Sequence, residues 1–101
     1  MNSIRTLNQK IIILSVLSSH SRGMGHFFRM CRLFEIAKKE NKDVLLITNR
    51  YLPAIKLLIR NNINHMSWES EAEYFELIKL IYNKYENVIW INDKFSTSKL
   101  E

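Results

Sequence analysis

The chain reads as an α/β protein built on a doubly wound parallel sheet, and three observations predict that class. Short β-branched and aliphatic runs, too brief for helices, alternate with longer stretches whose apolar residues recur at helical spacing. The runs are apolar at consecutive positions, as strands covered on both faces are. The segment after the first run carries two closely spaced glycines, where such folds hold ligands beyond the carboxyl ends of their strands.

Each element follows in order. Ile11 to Leu17 is the first strand. From His26 to Glu40, Phe27, Met30, Cys31, Phe34 and Ala37 repeat at helical spacing, while Arg29, Arg32, Glu35, Lys38 and Lys39 occupy other faces. "NKD" supplies a break, and Val44 to Thr48 forms a second buried strand. Pro53 suits the first turn of a helix from Leu52 to about Asn61, with Ile55, Leu58 and Ile59 on its apolar side. "NNINHMSW" reads as a turn and a short third strand. Ser70, with Glu73 three residues on, has capping-box spacing and opens a third helix. Val88 to Ile91 is the fourth strand. The succession βαβαβαβ calls for right-handed crossovers and a Rossmann-like layer with helices on both faces.

Length and composition bound the function. At 101 residues the chain has room for one domain, which buries about two thirds of its unfolded surface. The net charge of +5 invites a nucleic-acid reading. The lysines, however, alternate with acids along helix faces, and only Arg22, Arg29 and Arg32 gather, so no nucleic-acid partner is expected. Cys31 is alone, which excludes an internal disulfide, fits a reducing cytoplasm and marks it as a small buried hydrophobe. Arg5 and Lys10 ahead of "IIILSVLSS" imitate a secretory signal, but the run is short and no A-x-A-like site follows. No run of some 18 apolar residues exists for a membrane span.

The chemistry concentrates in "SRGMGHFFRMCR", residues 21–32. Gly23 and Gly25 allow positive φ and let a ligand approach main-chain N–H groups, and the following helix start adds partial positive charge. An anion fits there. The dinucleotide pattern G-x-G-x-x-G fails, because Phe28 stands where its third glycine would be, and Asn49 stands where an NAD enzyme places its ribose acid. No Gly-Lys-Ser/Thr follows, so a Walker loop is absent and no cofactor is expected. His26 falls in the first helical turn, three residues from Arg29, so both can rise from one face. An imidazole titrates near neutrality and a helix N-terminus disfavours its protonated form, which suits a general base.

Carried by Gly23, Gly25, His26 and Arg29, the stretch "GMGHFFRMCRLFEIAKKENKDVLLIT" resembles the G-x-G-H-x-x-R segment opening the N-terminal domain of the UDP-2,4-diacetamido-2,4,6-trideoxy-altropyranose hydrolases of the pseudaminic acid pathway. It also resembles spore-coat polysaccharide proteins and, more distantly, the GT-B glycosyltransferase that attaches N-acetylglucosamine in peptidoglycan synthesis. "ESEAEYFELIKLIYNKYENVIWINDKFST" is similar to the family's later helix, fourth strand and Asp-x-Tyr-type segment, with Asp93 and Phe95 at those places. The resemblance implies a UDP-sugar substrate cleaved at the anomeric carbon, with His26 activating water or acting near that carbon. It further implies that Gly23 and Gly25 shape the loop, that Arg29 organises the site, and that Arg22 and Asp93 contribute polar contacts. Two positions depart from the pattern: "SSHSR" supplies no acid after the first strand, and Phe95 replaces the tyrosine. GT-B proteins hold the nucleotide mainly with a second, C-terminal domain, so the chain is expected to be the front part of such an enzyme, completed by a C-terminal nucleotide-binding chain or domain. The rival expectation is a non-catalytic α/β module, or an inactive fragment, that lends a surface to a partner.

Other residues carry plainer expectations. His65 is structural, and His20, His26 and His65 lack metal spacing, so no metal is expected. Trp68, Trp90, Tyr74, Phe75, Tyr82 and Tyr85 are read as core and helix packing rather than a base-stacking platform. Ser18, Ser19 and Ser21 could contact a donor.

Overall fold

The computed structural model describes residues 10–19 and 24–93, Asp93 by its backbone alone. Seven elements follow one another: β1 (Lys10–Val16), α1 (Gly25–Lys39), β2 (Val44–Asn49), α2 (Leu52–Arg60), β3 (His65–Trp68), α3 (Glu71–Lys84) and β4 (Asn87–Asp93). The strands form one all-parallel sheet in the order β3-β2-β1-β4. The chain winds outward from β1 to β3, then crosses back through α3 to lay β4 on the other side of β1. This is the doubly wound, Rossmann-like arrangement, and its strand order reverses between β1 and β4.

Alternation along the strands sorts two cores. On one face Leu14 and Val16 of β1 and Val44 and Leu46 of β2 pack with Phe27, Met30 and Phe34 of α1 and Ala54 and Leu58 of α2. On the other, Ile11, Ile13 and Ile47 meet Ile81 of α3, with Leu77, Tyr85, Val88 and Trp90 around them. Residues of one strand point to opposite faces with period two, so a strand apolar throughout feeds both clusters. The "III" of β1 does this.

Helix ends follow from local chemistry. Asn41 and Asn62 hold positive φ of 62° and 54°, a conformation that asparagine tolerates better than most residues. Each completes a Schellman motif: Lys42 N–H donates to Ala37 O and Asn41 N–H to Lys38 O after α1, while Ile63 N–H donates to Leu58 O and Asn62 N–H to Ile59 O after α2. After α2 the motif brings the buried pair Ile63 and Leu58 together. Pro53 sits in the first turn of α2. Ser70 caps α3 by accepting from Glu73 N–H at 3.2 Å, while Glu73 reaches back to the amide of Glu69, one residue ahead of the cap, at 2.7 Å.

Three packing expectations are corrected. Ile59 of α2 is exposed and Ala54 takes its place inside, because the buried face runs through positions four apart, Ala54 and Leu58. Phe75 and Tyr82 stay about half exposed, since they share a flank of α3 beside the face that buries Ile81. Cys31 is only half buried, lying at the margin of the α1 core.

Candidate functional site

The rim at the carboxyl ends of β1, β2 and β4 is assembled by the strand register. Val16 pairs with Asp93 on one side and with Thr48 on the other, so the end of β1 sits between the ends of both neighbours. Two residues past Val16 the chain is still tied down. The side chain of Asn49 clamps Ser18: Ser18 N–H donates to Asn49 Oδ1 at 2.7 Å, and Asn49 Nδ2 donates to Ser18 O at 2.8 Å. The amide thus acts as one more rung of the β1–β2 ladder beyond the last backbone pair. The hydroxyls of Ser18 and Thr48, both buried, lie 2.8 Å apart, and Thr48 Oγ1 donates to Asn49 Oδ1 at 3.1 Å. Buried polar groups need such partners, because leaving one unpaired costs about 1–3 kcal/mol.

This knot went unseen in the sequence. Asn49 drew notice only as the residue standing where an acid would hold a ribose, and its partner lies 31 positions away. Ser18, expected as a possible donor contact, is instead inside and engaged. The signal was present in outline: three small polar residues, Ser18, Thr48 and Asn49, close two apolar strands at the same level.

Past the knot the chain enters α1. Gly25 is its first residue and His26 its second; His26 is half buried and Arg29, one turn on, is exposed. The N-cap is Met24, at φ −117° and ψ 12°, which offers no side-chain acceptor, and no acid occupies the first turn. Gly25 lies in the helix, and a Cβ built on it would meet nothing within 4 Å. Its expected use for positive φ is therefore corrected: what Gly25 offers is open space at the helix start. Arg22 and Gly23, with His20 and Ser21, lie outside the described residues, as does the side chain of Asp93. The backbone of Asp93 ends β4 beside Val16, on the same rim as α1.

The rim can present partial positive charge from the α1 start, an imidazole and a guanidinium one turn apart, all at the strand-order reversal. Cys31, further along α1, is a poor nucleophile: burial, with the Glu35 carboxylate a lesser cause, pushes its thiol up to about 11. The described residues contain no group of three or more His, Cys, Asp or Glu side chains placed to hold a metal ion. None of their helices is long and apolar enough to cross a membrane.

A cavity of about 850 Å³ opens at the opposite end of the sheet, among the strand starts. Leu45, His65 and Met66 line one side, and Ile81, Lys84 and Tyr85 of α3 the other. It is a gap in helix cover: α3 meets the end of β3, where Tyr74 rests on Trp68, and the cleft opens beside its later residues at the starts of β2 and β3. The His65 ring is held within its own segment, Nδ1 lying 2.8 Å from Ile63 O. Size alone does not make this cleft the site, because folds of this class take ligands at the carboxyl end.

No protein-family model matches the chain, and neither does any curated protein or solved structure.

Proposed function

We propose that the chain is the N-terminal portion of a UDP-sugar hydrolase or glycosyltransferase of surface polysaccharide or nonulosonic acid biosynthesis, cleaving at the anomeric carbon in the cytoplasm with His26 as general base. The observation that carries this reading is the place of His26. It is the second residue of the helix that follows β1, within a G-x-G-H-x-x-R run, at the reversal of strand order. In hydrolysis His26 takes a proton from water as the water oxygen bonds to the anomeric carbon. The bond from that carbon to the β-phosphate oxygen breaks, and its electron pair leaves with UDP. In transfer, a carbohydrate hydroxyl replaces the water.

The other residues act around that step. Gly25 leaves room for close approach, and the partial positive charge at the α1 start opposes the charge growing on the departing diphosphate. Arg29 orients the donor, with Arg22, Gly23 and Asp93 completing the contacts. The uridine half is held by a C-terminal nucleotide-binding chain or domain.

The test is UDP release from a panel of UDP-sugars by the full chain, alone and with candidate C-terminal nucleotide-binding chains. Turnover that falls by about 10²–10⁴-fold in His26→Ala, the contribution of a positioned base, supports the reading. Turnover indifferent to His26→Ala sinks it. Binding to a partner chain with no turnover favours the alternative of a non-catalytic module, for which the uncovered flank of β4 and α3 speaks.

A further inference from the structure

The sheet treats its two borders differently. β3 is a border of four residues, all half buried, and Arg50 closes its end: Arg50 N–H donates to Trp68 O at 2.8 Å and the guanidinium meets Ser67, Glu69 and Glu73. Short strands and charged neighbours are how proteins discourage stray pairing at a border. β4 has neither. It runs seven residues, carries no charge, proline or glycine from Asn87 to Asn92, and among the described residues pairs only with β1. Ile89 and Ile91, alternating on one face, are 42% and 40% exposed. On the other face Trp90 donates its indole N–H to Tyr82 at 2.7 Å, and Tyr82 with Phe75, seven residues earlier on the same side of α3, remains half exposed.

We propose that β4 is a two-fold interface: it pairs antiparallel with β4 of a second copy of this chain and joins two sheets into one of eight strands. The occupant is argued from the strand itself. At its centre the strand reads Ile89–Trp90–Ile91, the same in both directions, while the outer pairs Val88/Asn92 and Asn87/Asp93 differ. A register centred on Trp90 sets Ile89 against Ile91 of the second copy and Ile91 against its Ile89, so four isoleucines close over the uncovered face. On the other face the two Trp90–Tyr82 pairs meet near the axis. A two-fold contact requires this self-complementarity, and the register sets the terminal Asp93 opposite Asn87 of the second copy, so no like charges face one another. Ile89 and Ile91 on one face and Tyr82 and Phe75 on the other together expose on the order of 400 Å², in two apolar strips that flank the edge of β4. That is about half of the roughly 800 Å² per partner of a standard interface; the main chain of β4 and the flank of α3 supply the rest. Because the two β4 strands run oppositely, each copy's α1 start faces away from the other, and the carboxyl rim stays open.

Analytical ultracentrifugation of the full chain across a wide concentration series, paired with amide hydrogen exchange, tests the interface. The expected result is a monomer–dimer equilibrium in which amides of residues 88–92 gain protection with concentration while those of β3 do not. Ile89→Lys and Ile91→Lys, at exposed positions, each raise the dissociation constant more than about tenfold, because a charge would be buried unpaired. If either variant loses its far-ultraviolet circular dichroism, the wild-type contrast between β4 and β3 exchange decides. A chain monomeric at every concentration, a dimer untouched by both lysines, open-ended aggregation, or protection at β3 in place of β4 overturns the proposal.

Discussion

The helices α1 and α3 begin in opposite ways. At α3 the chain satisfies its own helix start: Ser70 accepts from Glu73 N–H, Glu71 and Glu73 place negative charge in the first turn, and Glu73 also meets Arg50. At α1 the cap is a methionine, no acid stands in the first turn, and a glycine leaves space beside a histidine. The sequence has capping chemistry at its disposal and uses it at one helix only. A helix N-terminus attracts anions through its first N–H groups and the macrodipole. α3 spends that attraction internally, whereas α1 can direct it outward. The difference separates a helix start that serves stability from one available for a ligand.

Four experiments break or sharpen this contrast. The largest effect is expected from Asn49→Ala, which strips both main-chain groups of Ser18 of their partners. Each buried group left unpaired costs about 1–3 kcal/mol, read as a lower urea midpoint, and amides at the start of α1 should exchange faster while those of α3 do not. Ser70→Ala should cost about 1 kcal/mol, the usual worth of a serine cap, in the same urea titration, with no change in UDP-sugar binding. Gly25→Ala should raise stability by up to about 0.5 kcal/mol, because alanine is the better helix former and its Cβ meets nothing. The same substitution should weaken UDP binding by calorimetry; unchanged binding would erase the difference between the two helix starts. The smallest effect concerns Cys31. Its thiol is held at about 11 against an ordinary 9.0, so the unfolded chain ionises first. Its contribution to stability is full below pH 9.0 and is lost as pH rises through about 11. Thiol labelling at pH 8 should accordingly be slower in the native chain than in urea.

The fold was legible because its signals are local. Apolar runs such as "VLLIT", the Ser70–Glu73 spacing, Pro53 and the asparagines after two helices each act within a few residues, and every element falls within two residues or so of its expected bounds. The expected rim was legible in part: His26, Gly25 and Arg29 share one helical turn, and Asp93 ends the strand beside Val16. The Asn49 clamp was not, since it joins residues 31 apart and depends on register, which no local pattern encodes. Nor was the exposure of Tyr82 and Phe75. Their spacing on α3 matches a buried stripe, and only the seating of α3 on the sheet through Ile81 decides that this flank stays outside.

Trp68 and Trp90 are the chain's two tryptophans, and they lie on opposite outer strands. Trp68 rests edge-on against Tyr74 at 5.3 Å, whereas Trp90 is bonded to Tyr82. Each margin of the sheet therefore contains its own natural fluorophore, and a single Trp→Phe replacement silences one while leaving the other to report. Emission from Trp90 alone follows events along β4 without any added dye, and emission from Trp68 alone serves as the internal reference.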